Sequence, residues 1–360
     1  MKDLKEIRAS INEIDEQMRV LFAKRMDAAR EVAEYKSAHG LPILDAAREA
    51  EVIEKNANML EDESLRPYYV NFLQGTMSVS RSYQDMLIGG MKVAYSGVAG
   101  AFAHIAACKL FPEARKIAYD SFEKAYNACV KGECDAVVLP IENSFNGEVG
   151  AVTDLMFSGP LFVNGVINID VSHCLLGVKG ATKADVKKVI SHPQALAQCN
   201  GYISSNGFKR EEFENTALAA EHVSNLGDKS IAAIGSETAA QIFGLEILEK
   251  NINESRSNTT RFATFSRSEH KREGDSYGIH SIILFTVKNE AGALAKAIDI
   301  IGKHGFNMRS LRSRPMKELL WEYYFYVEAE GNANSKEGKR MMEDLLEYCG
   351  KLKLVGTYEK

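Results

Sequence analysis

The sequence predicts a multidomain protein: an all-α helical bundle, then a two-lobed α/β segment, then a small α+β segment of ferredoxin-like order. Three observations carry that reading. Apolar residues recur at helical spacing from Leu4 to about Ile88. Short apolar strands then alternate with helices as far as Arg267, and a βαββαβ pattern begins at Ile279. At 360 residues the chain exceeds one ordinary core, and the rhythm changes place the domains at 1–89, 91–268 and 279–360.

In the first segment Leu4, Ile7, Ile11, Ile14, Met18 and Leu21 form one stripe on a long helix, which continues through Arg25, Ala28, Val32 and Tyr35. Gly40 and Pro42 break it, Asp45 caps a second helix, and a third runs from about Leu65. A first helix about 50 Å long carries more apolar stripe than two shorter helices can cover. A second protomer is therefore expected, giving a homodimer or a higher homo-oligomer.

In the second segment the strands Lys92–Tyr95, Ala136–Leu139, Val189–Ile190 and Ile231–Ile234 each lead into a polar or Gly-rich turn, which predicts a mostly parallel sheet. The linker runs from Ser268 to Ser276. In the third, strands are expected at His280–Val287, Met308–Arg312, Trp321–Val327 and Leu352–Tyr358, with helices at Ala291–His304 and Lys336–Tyr348. There is no low-complexity segment or tandem repeat.

Hydrophobic residues make up 45% and charged residues 26%, which fits a soluble globular protein, and a net charge of −5 argues against a nucleic-acid partner. No apolar run is long enough to span a bilayer, and Met1 leads straight into a charged helical pattern, so no membrane association and a cytoplasmic location are expected. The six cysteines form no Cys-x-x-Cys pair and the eight histidines no ligand spacing. Reduced thiols, no metal and no cofactor are expected.

Charged and polar residues stand where apolar ones belong. Arg25 lies on the first stripe; it is satisfied either by a salt bridge to a neighbouring helix or by an anionic ligand. Tyr69, Leu73 and Met77 define a stripe that continues through Ser80 and Gln84. Lys36, Arg48 and Glu49 add ionisable groups nearby. This pattern, from Ile11–Asp15 through Arg25, Lys36, Asp45, Arg48, Glu49, Ser80 and Gln84, resembles the all-helical chorismate mutases. The resemblance implies that Arg25 and Arg48 grip substrate carboxylates with Arg8 of another protomer. It implies too that Lys36 and Gln84 donate to the ether oxygen, that Glu49 and the backbone near Asp45 hold the ring hydroxyl, and that Ser80 supports a carboxylate. An intramolecular Claisen rearrangement needs a held conformer and stabilised charge, and no nucleophile.

Gly97-Val98-Ala99-Gly100 lacks the third glycine of a dinucleotide fingerprint. Taken singly, it and the turns Glu142-Asn143-Ser144, Ser191-His192-Pro193-Gln194 and Ser236-Glu237-Thr238 fit ordinary helix capping. Together with His173–Leu176, Thr216-Ala217 and Asn258-Thr259-Thr260-Arg261-Phe262 they resemble the prephenate dehydratases. That family implies two lobes like a periplasmic binding protein, with substrate in the cleft and Asn258–Phe262 returning to the first lobe. It implies Thr260 as donor to the departing hydroxide, Arg261 as the orienter of a carboxylate, and Asn258, Glu142, Asn143 and Ser144 as cleft lining. Phe262 reads as core. Ala101 and Ala103 stand where the family carries hydroxyls.

The third segment resembles ACT regulatory domains. Gly292-Ala293-Leu294 matches their amino-acid-binding loop, and Arg312-Ser313-Arg314-Pro315 matches a Glu-Ser-Arg-Pro motif with its acid replaced by a base. Phenylalanine is the implied allosteric inhibitor. Arg312 either faces that zwitterion and weakens its binding, or points into solvent. The whole chain thus resembles a bifunctional chorismate mutase/prephenate dehydratase, taking chorismate to prephenate and then to phenylpyruvate. A dehydrogenase partner lacks its glycine fingerprint here. A dehydratase preferring arogenate and a non-catalytic ligand sensor are the remaining alternatives.

Overall fold

The computed structural model describes residues 3–255, 257–272, 278–316 and 323–360. The chain divides into two compact units. One comprises Met1–Lys92 with Glu113–Arg115, the other Val93–Pro112 with Lys116–Lys360.

The first unit is helical: α1 (Leu4–His39), α2 (Ala46–Ala57) and α3 (Arg66–Gly89). Its helix ends follow local chemistry. Asp3 and Glu6 form a reciprocal capping box, and α1 stops at Gly40, whose φ of 63° suits a residue without a side chain. Asp45 caps α2 by accepting the Arg48 amide. Helix α1 packs mainly on α3, where Ala29, Ala33 and Met77 are buried. Its long stripe is uncovered in the single chain: Leu4 is 62% exposed, Ile11 50% and Leu21 63%. Arg25, expected at a buried position, is exposed for the same reason.

The second unit begins with a lobe built from β1 (Lys92–Ser96), α4 (Phe102–Leu110), β2 (Arg115–Tyr119), α5 (Phe122–Val130), β3 (Ala136–Asn143), β4 (Gly147–Glu148), α6 (Gly150–Ser158) and β5 (Phe162–Asp170). A second lobe holds β6 (Cys174–Gly177), β7 (Lys188–Ser191), α7 (Pro193–Gln198), α8 (Asn200–Ser205), β8 (Lys209–Glu212), α9 (Thr216–Leu226), β9 (Ile231–Gly235), α10 (Glu237–Phe243) and β10 (Glu246–Glu249). Strand β11 (Thr259–Ser266) then returns to the first sheet, whose order is β2-β1-β3-β11-β5 with β4 against β3. The second sheet runs β10-β6-β9-β7-β8.

Neither sheet is mostly parallel. Strand β11 lies antiparallel to both β3 and β5, and β6 lies antiparallel to β9 and β10. Parallel pairing is confirmed for β1 with β3 and for β7 with β8 and β9. The repeating strand–helix rhythm shows only the local units; where the chain leaves a sheet and comes back, direction is set by a crossover with no local signature. Glu142 and Asn143 also lie within β3, and β4 intervenes before α6, so that turn is not a direct strand-to-helix step.

The remaining residues form β12 (Ile279–Val287), α11 (Ala293–Lys303), β13 (Asn307–Pro315), β14 (Tyr323–Glu330), α12 (Lys336–Leu346) and β15 (Cys349–Glu359), with sheet order β13-β14-β12-β15. This is the ferredoxin-like arrangement. The strand expected from Trp321 is described from Tyr323; its first residues, and the linker residues 273–276, lie outside the described residues. One face of this sheet packs on its own helices through Ile283, Phe285, Ile301 and Met341. The other supplies Ile282, Leu284, Tyr326 and Val355 to a core shared with Val137, Leu139, Ala263 and Phe265 of the first lobe. The approach is closest at Gly356, where a Cβ would lie 2.0 Å from the Val163 carbonyl oxygen.

Phe262 is buried, as expected. No disulfide forms: all six cysteines are free, four of them buried. Among the described residues no helix is long and apolar enough to cross a membrane, and no group of three or more ligands could hold a metal.

His304, at the end of α11, lies 2.6 Å from Glu337 and 2.8 Å from Asp344 of α12. The Asp344 hydrogen bond raises its pKa, burial opposes that, and Glu337 raises it further. A histidine raised on folding stabilises the fold below its unfolded pKa, and that contribution disappears as pH rises through the folded value. His304→Gln is therefore expected to lower the melting temperature by about 2–4 °C at pH 5.5, as loss of ~1 kcal/mol would. Above pH 8 the two proteins should melt together. Thermal melts at both pH values check this.

Candidate active sites

The first unit holds a cavity of about 200 Å³ lined by Arg25, Lys36, Asp45, Arg48, Glu49, Ser80, Arg81 and Gln84, with Ile43, Val52 and Met77. Helical spacing does this work. Met77, Ser80, Arg81 and Gln84 fall at i, i+3, i+4 and i+7 on α3, facing one another across the turns. The Arg25 guanidinium donates to the Ser80 hydroxyl and, at 3.3 Å, to the Thr76 carbonyl. The Lys36 ammonium donates to the Ile43 carbonyl at 2.5 Å. Gln84 is buried and its side-chain oxygen has no protein partner. Thus seven of the eight expected residues of this site converge. Arg8 does not: it sits about 25 Å up α1 from Arg25 at 1.5 Å per residue. The sequence reading missed Arg81, which donates to both oxygens of Glu49. Its i+4 relation to Met77 was the available signal.

The second unit has a cavity, also of about 200 Å³, lined by Asn143, Asn258 and Thr260 with Phe102, Val171, His173, His192, Gln194, Ala195, Gln198, Asn215 and Thr216. Register places its centre. On adjacent antiparallel strands Thr260 pairs with Asn143 and Arg261 with Glu142. Neighbouring residues on a strand face opposite ways, so one pair faces the cavity and the other its back.

The cavity face is a hydrogen-bonded chain. Asn143 Nδ2 donates to Thr260 Oγ1 at 2.8 Å and to Asn258 Oδ1 at 3.0 Å, while Asn143 Oδ1 accepts the amides of Phe145 and Asn146. Those two amides settle the orientation of the carboxamide. Asn258 Nδ2 donates to Gln198 Oε1 at 3.0 Å, and His173 Nε2 lies 2.9 Å from the same oxygen, so His173 is the donor there. Burial pushes the pKa of His173 down, and the Gln198 contact opposes it. Asn215 caps α9, and α4 begins at Ala101 with no side-chain cap, leaving its first amides open.

The back face corrects three expectations. Arg261 does not line the cavity. It donates to Glu142 at 2.9 Å, to Glu328 at 2.8 and 3.0 Å and to Tyr358 at 2.8 Å. Burial works to raise the Glu328 carboxyl, but Arg261 and Tyr358 hold it below the usual carboxylate range. Glu142 is likewise taken, by Arg261 and Arg312. Arg312 does not point into open solvent: it bonds Glu142 and lies over the Tyr326 ring. Arg314 pairs with Asp154 in the same way, while Ser313 and Pro315 are exposed. Strand alternation explains the split. Ser144 is not part of the cavity wall; its hydroxyl accepts the Thr259 amide and donates to Ser257. Gly292 has φ 86° and begins α11, with Ala293 and Leu294 in its first turn.

A helical cation-lined pocket and a two-lobed α/β cleft define a fusion of two small-molecule enzymes. Residues 7–85 match chorismate mutase type II and residues 93–270 match prephenate dehydratase. A bifunctional chorismate mutase/prephenate dehydratase of Aquifex aeolicus is 32% identical over all of this chain and 99% of its own. Among solved structures, a quorum quenching acylase is 31% identical, with TM-score 0.69 over 74% of this chain and 97% of its own. A prephenate dehydratase of Arthrobacter aurescens in complex with L-Phe shares the fold at 23% identity, with TM-score 0.69 over 75% of this chain and 90% of its own. The chain belongs to the bifunctional chorismate mutase/prephenate dehydratase family.

Arg312→Glu sets a carboxylate against Glu142 and removes that residue's second cation. The expected cost is about 2 kcal/mol, typical of a charged hydrogen bond lost in partial burial. A lower melting temperature and slower phenylpyruvate formation should appear together. Unchanged values in both would mean that the Arg312–Glu142 pair contributes nothing.

Proposed function

We propose that the chain makes phenylpyruvate from chorismate by two reactions at two sites, with Thr260 as the acid of the second. The orientation of Asn143 carries this reading. Its amide donates to Thr260 Oγ1, so the hydroxyl accepts there and keeps its own hydrogen to give away. In prephenate the bond to the ring carboxylate breaks and its electron pair enters the ring. The C–O bond at C4 breaks in turn, and the hydroxide takes the Thr260 proton to leave as water. Threonine is a weak acid, but the departing oxygen becomes basic as the bond breaks. Open amides at the N-terminus of α4 hold substrate carboxylate, with His192, Gln194 and Thr216 also lining the cavity, and the two lobes enclose the substrate.

In the helical unit Arg25 and Arg48 bind the carboxylates of chorismate, and Lys36 and Gln84 donate to the ether oxygen as it gains charge. Asp45 and Glu49 hold the ring hydroxyl, and Ser80 supports Arg25. Arg8 completes the site from a second copy of the chain. The uncovered stripe of α1 and the distance from Arg8 to Arg25 support a dimer. Residues 91–268 act as the dehydratase domain and residues 279–360 as an ACT-type sensor that binds phenylalanine at Gly292, Ala293 and Leu294, with Ser313 and Pro315 on the exposed side of β13. Arg314 supports that site through Asp154.

Arg25→Ala and Lys36→Ala should each lose ~3 kcal/mol of transition-state stabilisation in mutase turnover. If Arg8 crosses between protomers, mixing inactive Arg8→Ala with inactive Arg25→Ala restores activity, since each heterodimer has one intact site. No recovery after subunit exchange would place each site within one chain.

Thr260→Val should leave mutase turnover intact and cut phenylpyruvate formation ~10²–10⁴-fold, so that prephenate accumulates from chorismate. Continued phenylpyruvate formation would assign the proton to another group. Arogenate supplied in place of prephenate measures substrate preference in the same assay.

A further inference from the structure

We propose that Arg81 is a positioning residue of the rearrangement site, fixing the Glu49 carboxylate and offsetting its charge where a dianionic substrate binds. The inference rests on the reading of this cavity as the chorismate site. Arg81 projects from the α3 face that also carries Ser80 and Gln84, and Glu49 projects from α2. One guanidinium nitrogen reaches both Glu49 oxygens. The two side chains are 32% and 26% exposed, so water screens the pair only in part.

A carboxylate in the wall of a site for two further carboxylates is repulsive unless a cation faces it. The described lining holds four cations, Arg25, Lys36, Arg48 and Arg81, and two carboxylates, Asp45 and Glu49, for a net charge of +2. That excess of cations suits a dianion, and the Arg8 proposed from a second copy adds to it. Asp45 is already engaged as the cap of α2. Arg48 turns its guanidinium to Glu51 at 2.7 Å. Arg81 is thus the cation on Glu49. Without it, Glu49 would draw on Arg25, Lys36 or Arg48, which the substrate needs. Held at both oxygens, Glu49 also keeps one carboxylate orientation toward the ring hydroxyl.

A side chain that merely tied α2 to α3 would alter stability and leave turnover alone. Mutase kinetics and thermal melts of Arg81→Met, Arg81→Lys, Glu49→Gln and the Arg81→Met/Glu49→Gln double variant separate the two. Arg81→Met is expected to lower kcat about tenfold with KM raised less than about threefold, as loss of an interaction made in the transition state does. Arg81→Lys should recover most of kcat. On the Glu49→Gln background the second substitution should cost less than about twofold, because both act through one interaction. Helical content by circular dichroism reports that the helical unit of each variant is folded, and Arg81→Gln replaces Arg81→Met if the latter is not. A kcat within twofold of the parent, or a loss that multiplies with Glu49→Gln, overturns the proposal. Near-normal turnover in both Glu49→Gln and Arg25→Ala would instead remove the site assignment beneath it.

Discussion

The Arg261 guanidinium bonds carboxylates on two sheets at once, Glu142 on β3 and Glu328 on β14, and adds the Tyr358 hydroxyl of β15. Glu328 is only 3% exposed and Tyr358 2%, so each charge in this group depends on the others for its solvation. The residues next to it along the strands are Thr260 and Asn143, which face the cavity. The geometry of Thr260 and Asn143 is therefore anchored from behind by charge. Since the strand cannot shift without uncovering a buried ion, the register that pairs Thr260 with Asn143 is held more tightly than backbone hydrogen bonds alone would hold it.

Most of the first unit was legible in sequence because helix periodicity converts spacing directly into neighbourhood. Arg25, Lys36, Arg48, Glu49, Ser80 and Gln84 meet in one cavity because their spacing puts them on facing stripes. Arg81 escaped because an arginine beside a stripe reads as solvated surface until its partner on another helix is seen. In the second unit the motifs were found but their faces were not. Glu142-Asn143 and Thr260-Arg261 are adjacent in sequence, and adjacency on a strand means opposite sides. A motif read as one patch therefore divides into a half that lines the cavity and a half that pairs charges behind it. His173 and Gln198 were passed over as site residues because their hydrogen-bond partners lie 25 to 60 residues away.

The two sites treat charge differently. The helical cavity is lined by four cationic side chains. Among the described residues, the wall of the cavity around Thr260 has neither lysine nor arginine and presents carboxamides and histidines. That difference suits the chemistry. A rearrangement that builds negative charge on an ether oxygen gains from nearby cations. A decarboxylation must let the carboxylate's electrons go, and a guanidinium clamped on that group would hold them back.

The core shared between the first lobe and the C-terminal sheet has a further consequence. Ala263 and Phe265 are covered by Ile282, Leu284 and Tyr326, and Gly356 touches the backbone of Val163. A chain ending after β11 would leave that apolar face wet and the Arg261 cation without its deepest partner. The C-terminal segment is thus part of what folds the lyase. A stop codon after the return strand would therefore remove more than the last segment: it would take away the cover on which the first lobe's sheet packs.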